Sequence, residues 1–188
     1  MTDAYIVGAV RSAGGKKNGR LSKIHPIDLG AEVVDALVAK TGVAVAEIDD
    51  LIFGCVSQVG AQSSNIARNI CLSSVLGEVV PGTTVDRQCG SGQQAMHFAA
   101  QGVLSGTQDL VIAGGVESMS QVPIGANIID GYKAEHGLPY GKKMSERYPG
   151  VQFNQFAGAE MLAHKYELTQ DELHAFAFDR HVKAKRAV

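Results

Sequence analysis

Thr84-Val85-Asp86-Arg87-Gln88-Cys89-Gly90-Ser91-Gly92-Gln93-Gln94-Ala95 is a β-prone run, a glycine-bearing turn and the start of a long uncharged helical pattern, in that order. A strand feeding a helix through so short a turn is the beginning of a βαβ unit. The turn carries a cysteine. Near a helix N-terminus, free backbone N–H groups and the positive end of the helix dipole favour a thiolate, and a thiolate placed there is a candidate covalent catalyst.

Outward from this stretch, strand and helix patterns alternate. Ala4 to Val10, Leu51 to Val56, Thr83 to Gln88 and Asp109 to Ala113 read as strands. Asp28 to Lys40, Asn65 to Leu76 and Ser91 to Leu104 read as helices, the first with Leu29, Val33 and Leu37 at four-residue spacing and Asp28 able to cap its start. The alternation predicts βαβ units and a largely parallel sheet. In the helix after Cys89, Gln93, Gln94, His97 and Gln101 form one polar stripe, and small or apolar residues cover most of the rest. Such a helix is expected to be buried on several sides.

Beyond Gly114-Gly115 the pattern changes. Glu117 to Gln152 is broken by Gly125, Gly131, Gly137, Gly141, Gly150, Pro123, Pro139 and Pro149 and reads as irregular. Irregular stretches of this length in compact proteins are usually functional. Helical signals resume over Gln155 to Tyr166 and again after Thr169, where Thr169-x-x-Glu172 is a capping box. The helical pattern runs to the last residues without a Gly or Pro stop signal.

Composition narrows the function classes. Of the 188 residues, 45% are hydrophobic and 19% charged, and the net charge is -2, so a folded core is expected and no basic stripe points to nucleic acid. No polybasic cluster points to a membrane surface. Met1 to Tyr5 has no basic region followed by an apolar one, and the charge-free stretch Gln88 to Gln108 is too polar to span a bilayer. The 3 cysteines match no metal spacing and fit a reducing, cytoplasmic interior. Cys55 and Cys71 lie in apolar runs and are expected to be inert core thiols.

From the residues alone Cys89 stays open between nucleophile and structural thiol. The Cys89 N–H could serve as an oxyanion donor, and Gly90 and Gly92 would let a carbonyl approach the backbone. The Gly90-Ser91-Gly92 element could instead cradle a phosphate, but neither a G-x-x-x-x-G-K-[ST] nor a G-x-G-x-x-G pattern follows it. None of the 6 histidines can be placed beside Cys89. His97 sits too far along the same helix at ~1.5 Å per residue and is expected in a core or interface. His174 and His181 share a solvated face.

Four blocks, in order, resemble the thiolase family of acetyl-CoA acetyltransferases and 3-ketoacyl-CoA thiolases. They are Val7-Gly8-Ala9-Val10-Arg11-Ser12 with Gly19 and Leu21, Asn65-x-x-Arg68, Val85 to Gly92, and Ala113-Gly114-Gly115-Val116-Glu117-Ser118-Met119-Ser120. Ala13 replaces the family's usual Pro, and Asp86 and Gln93 stand where many relatives carry Asn and Leu. Cys89-Gly90-Ser91-Gly92-Gln93-Gln94 is similar to a subgroup that includes thiolases for bulky acyl chains such as steroid side chains. Where many relatives have His-Met-Gly, this chain has Asn154-Gln155-Phe156, and Glu160 is retained.

The resemblance implies an α/β thiolase-like fold. Residues 1–118 would form the N-terminal core half, a mixed five-stranded sheet with helices on both faces, and residues 119–188 would begin the loop domain that covers the substrate. It also implies that Cys89 accepts the acyl group, that Met119, Asn154 and Gln155 line the substrate path, and that no metal or bound cofactor is needed, with a CoA thioester as substrate. The intact enzyme would be a homodimer or homotetramer acting in fatty acid metabolism, in β-oxidation or its reverse condensation. The family's base histidine and second cysteine belong to a C-terminal half whose motifs do not occur here. The expectation is therefore one half of a thiolase, truncated or split. A non-catalytic complementing subunit and a condensing enzyme of the ketoacyl synthase type are the alternatives.

Overall fold

A computed structural model of the chain describes residues 3–187; Met1, Thr2 and Val188, the ends of the terminal readings above, lie outside the described residues. The chain divides into two compact units that meet in sequence at Leu138 and Pro139.

The first unit is built on strands β1 (Asp50–Gly54), β2 (Gly82–Val85) and β3 (Val111–Gly115). They form a parallel sheet in the order β2-β1-β3, with Ile52 paired to Thr83 on one side and Ala113 on the other. Helix α1 (Pro26–Thr41) precedes β1, α2 (Ile66–Ser73) connects β1 to β2, and α3 (Ser91–Ser105) connects β2 to β3. Successive residues of β1 face opposite sides of the sheet. Leu51 and Phe53 join Val34 of α1, Ile66 and Ile70 of α2, and Ile112 in one apolar core. Ile52 faces the other way, onto Ala95 and Ala99 of α3. Helices therefore cover both faces, as expected of this α/β class.

The expected strand count needs correcting. The described residues hold three strands, all parallel, rather than a mixed sheet of five. Ala4 to Val10 forms no strand, with Tyr5 and Ile6 each 78% exposed. It runs past the C-terminal end of α1, where Lys40 Nζ donates to the Ala9 carbonyl at 3.1 Å. A β-prone run becomes a strand only where a ladder partner is offered. Helix α1 also begins earlier than expected. His25 Nδ1 accepts from the Ile27 N–H at 3.3 Å and Pro26 opens the helix, so Asp28 falls in the first turn instead of capping it.

Helix α3 differs in its exposure. Gln94 is buried with Ser91, Ala95 and Ala99, while Met96 and Phe98 are exposed. Only one face packs on the sheet, and His97 is exposed rather than in a core. Within the stretch read as irregular lie two short helices, α4 (Ala126–Lys133) and α5 (Lys142–Arg147). The second unit contains α5, α6 (Gln155–Lys165) and α7 (Gln170–Arg186). None of these three helices holds a buried residue. Thr169 and Glu172 form the expected capping box at the start of α7.

Candidate active site

Three loops leave the carboxyl edge of the parallel sheet, the edge where α/β sheets generally bind ligands. The Cys55 N–H donates to the Val85 carbonyl at 3.1 Å, and the Val116 N–H to the Gly54 carbonyl at 3.1 Å, so the strands stay paired up to the points where the loops diverge. Two glycines bring the start of α3 onto this edge. A Cβ on Gly54 would collide with the Gly92 nitrogen, and one on Gly115 would lie 2.9 Å from the Gly54 carbonyl oxygen. Backbone thus packs on backbone, and the turn before α3 is held at the strand ends.

Cys89 stands in that turn, and its side chain is exposed. The preceding residue, Gln88, has φ 47°, a left-handed conformation that non-glycine residues seldom adopt. Its N–H donates to Asp86 Oδ1 at 2.6 Å. Its carbonyl accepts from Ser91 Oγ at 2.5 Å and from the Ser91 N–H at 3.0 Å. Ser91 Oγ in turn accepts from the Arg87 N–H at 3.0 Å. No described residue accepts a hydrogen bond from the N–H groups of Cys89, Gly92 or Gln93. An exposed thiol therefore lies beside unengaged donors at a helix start, an arrangement suited to covalent attack on a carbonyl and to holding its oxygen.

The loop after β3 is stitched to the loop after β1. Glu117 accepts from the Val56 N–H at 2.8 Å, from the Ser57 N–H at 3.2 Å and from Gln62 Nε2 at 2.9 Å. Gln62 is fully buried and its Oε1 accepts from the Ser118 N–H at 2.6 Å. Met119, 55% exposed, follows directly, and Gln121 Nε2 donates to the Ile24 carbonyl at 2.5 Å. The side chain of Met119 is thus free while the backbone on both sides is anchored. Asn65 caps α2 by accepting from the Arg68 N–H at 3.3 Å and also donates to the Gly82 carbonyl at 2.8 Å. Arg68 donates to the Val80 carbonyl at 2.7 Å. This Asn-x-x-Arg pair therefore holds the segment that leads into β2.

The other two thiols are buried. Burial, with the Glu117 and Asp86 carboxylates nearby, pushes the Cys55 thiol up to about 12. Burial also raises that of Cys71, which donates to the Pro81 carbonyl at 3.5 Å. Both are core thiols, as expected. His174 and His181 are exposed on α7.

In the second unit Asn154 Oδ1 accepts from the Phe156 N–H at 2.8 Å, capping α6, and Gln155 is the first helical residue. Tyr140, Met144, Tyr148, Phe153 and Asn154 line an open depression of about 430 Å³. Tyr148 meets Phe153 edge to face, with ring centroids 5.6 Å apart. Among the described residues no cluster of His, Cys, Asp or Glu could hold a metal ion, and no helix is long and apolar enough to cross a membrane.

Sequence reasoning did not foresee the roles of Asp86, Ser91, Gln62 and Glu117. A signal existed for the first: an Asp two residues before a turn position is a common partner for that residue's N–H. Gln62 and Glu117 are far apart in sequence and meet only through the sheet.

Residues 4–188 match the family described as thiolase, N-terminal domain. The chain belongs to this family. It is 43% identical over its whole length to a steroid 3-ketoacyl-CoA thiolase of Mycobacterium tuberculosis, covering 47% of that protein. It is 39% identical to a 3-ketoacyl-CoA thiolase of Acinetobacter baumannii, with 97% of this chain aligned to 44% of that protein. A 3-ketoacyl-CoA thiolase of Bacillus subtilis is 38% identical over the whole chain, which covers 46% of it. The thiolase chain described here thus spans about half the length of the curated relatives it matches.

Proposed function

We propose that this chain is the nucleophile-bearing half of a thiolase and that the complete protein is an acyl-CoA acyltransferase acting through an acyl-Cys89 intermediate. The observation that carries the reading is the exposed Cys89 thiol on a locked turn, next to N–H groups that no described residue engages. The Cys89 thiolate attacks the keto carbon of a 3-ketoacyl-CoA. The bond between that carbon and its α-carbon breaks, leaving acetyl-CoA as an enolate that takes up a proton. CoA thiolate then attacks the new thioester and releases the acyl group, restoring the Cys89 thiolate. The reverse sequence is Claisen condensation. The Cys89 N–H stabilises the oxyanion in both tetrahedral intermediates. The base and the acid come from the part of the fold that these residues do not span, so the chain by itself turns over at or below detection.

The CoA thioester is a substrate, and no other cofactor is required. Met119 in the first unit and, taken by themselves, Asn154 and Gln155 in the second are the residues proposed to line its path. Residues 1–118 serve as the catalytic half and 119–188 as the covering loop domain. The complete protein is a cytoplasmic homodimer or homotetramer. Two features support a bulky acyl group: the Cys89 to Gln94 run, and the relative named a steroid 3-ketoacyl-CoA thiolase.

The test is acyl labelling of the complete protein with a 3-ketoacyl-CoA followed by mass mapping of peptides. An adduct on Cys89 alone is expected. Adducts on Cys55 or Cys71 with none on Cys89 would overturn the assignment.

A further inference from the structure

We propose that Asp86 and Ser91 are positioning residues that aim the Cys89 N–H as an oxyanion donor; this rests on the acyl-transfer reading above. Gln88 occupies a region of backbone space that a side chain disfavours, so something must hold it there. The structure assigns that task to two neighbouring side chains. Asp86 Oδ1 takes the Gln88 N–H at 2.6 Å, and its carboxylate also accepts from Gln88 Nε2 at 3.3 Å. Ser91 Oγ donates to the Gln88 carbonyl at 2.5 Å while accepting from the Arg87 N–H at 3.0 Å. Both backbone polar groups of Gln88 are thereby pinned.

The consequence passes through one peptide plane. The Gln88 carbonyl and the Cys89 N–H belong to the same unit, and the described chain has no cis peptide. In a trans peptide these two groups point in opposite directions. Pulling the carbonyl onto Ser91 therefore turns the Cys89 N–H away from the turn, where no described residue receives it. Neither Asp86 nor Ser91 needs to touch substrate. Ser91 is buried at 4% exposure and acts from behind the nucleophile.

Oxyanion geometry matters in the transition state and little in substrate binding, so kcat should fall while KM holds. In the complete protein, Ser91→Ala should lower kcat about 100-fold with KM within about twofold. Asp86→Ala should lower it about 10-fold, and Asp86→Asn, which keeps Oδ1, should return it to within about threefold of wild type. Alkylation of Cys89 by iodoacetamide forms no oxyanion, so its rate should stay within about threefold across all the variants.

The proposal is overturned if Ser91→Ala and Asp86→Ala leave kcat unchanged, if KM rises while kcat holds, if Asn does not rescue, or if alkylation falls as far as acyl transfer. Should Ser91→Ala fail to fold, the Ala and Asn variants at Asp86 decide. Wild-type protein that takes no acyl group at Cys89 defeats the parent reading and this one with it. Wild type that is acylated while the variants match it defeats this one alone.

Discussion

Leu51, Ile66 and Ile70 are wholly buried in the sheet unit, whereas Phe156, Phe176 and Phe178 in the helical unit are 74%, 66% and 72% exposed. Both units contain well-formed helices, so helix formation is not what separates them. The sheet unit closes two apolar faces on three strands. The helical unit displays its apolar residues outward and holds itself by local devices: an N-cap at Asn154, a capping box at Thr169 and an i,i+4 pair between Lys183 and Asp179. Exposed i,i+4 pairs contribute little. Cys89, the proposed nucleophile, sits in the unit that closes apolar cores on its sheet, which suits a group that must be held to within a fraction of an ångström.

Truncating one apolar residue in each unit gives the largest expected contrast. Ile70 is fully buried, and its Cδ1 fills the space above Gly30, where a Cβ would lie 2.5 Å from it. Ile70→Ala should cost about 2–5 kcal/mol in urea unfolding of the sheet unit. Phe176→Ala, at 66% exposure, should change stability by no more than about 0.5 kcal/mol. A loss for Phe176→Ala as large as that for Ile70→Ala would break the comparison by showing that the helical unit has a core of its own.

Alkali should act on the sheet unit through Cys55. Its folded value is raised to about 12 from an ordinary 9.0. Between these values the unfolded chain releases the thiol proton and the folded chain keeps it. The unfolded state then binds fewer protons, so stability falls as pH rises from about 9 to about 12. Cys55→Ala should flatten that part of the unfolding profile relative to wild type. An unchanged slope would mean that Cys55 is solvated.

A smaller effect is expected at the clamp between loops. Glu117→Gln keeps an oxygen but loses the charge that three donors share. The cost should be about 1–3 kcal/mol. Amide exchange at Val56 and Ser57 should speed up before that of β1 does. Uniform acceleration across the sheet would show that the clamp belongs to the core rather than to the loops.

The contrast between the units also explains what the sequence made legible. The strand–turn–helix around Cys89, the parallel sheet and the two-faced α/β arrangement follow from periodicity and turn residues, and the structure contains them. Ala4 to Val10 misleads because alternation reports a strand's faces but not whether a neighbour exists. Gln94 falls in a polar stripe by periodicity and is nonetheless buried, because Gly54 and Gly115 fix the roll of α3 by backbone contact with Ser91 and Gly92. Helix α4 contains Gly131 and lacks a side-chain cap, so neither of the usual helix signals marks it. At the site, the cysteine and its helix are visible in the residues. The tie through Asp86 and Ser91 depends on a left-handed Gln88, which no residue type announces.

The least costly substitution tests whether the helical unit depends on local devices. Thr169 Oγ1 accepts from the Glu172 N–H at 3.3 Å, and Glu172 Oε2 accepts from the Thr169 N–H at 2.8 Å. The Thr169 bonds hold the Glu172 carboxyl below the ordinary glutamate range. The Glu172 half of the cap is therefore complete above the ordinary value of 4.5 and is lost as pH falls through the lowered one, while Thr169 Oγ1 still accepts from the Glu172 N–H. Thr169→Ala should raise amide exchange in the first turns of α7 about fivefold at neutral pH, the usual effect of losing an N-cap. Wild type should move part of the way toward the variant's exchange pattern in acid, because protonated Glu172 gives up its half of the cap and Thr169 Oγ1 keeps the other. Amides of β1, β2 and β3 should not respond, since both hydrogen bonds of the cap stay within the first turn of α7. If α7 exchange stays unchanged in the variant, the helix is secured by burial of Phe176 and Phe178 against a covering surface, and the contrast between the two units disappears.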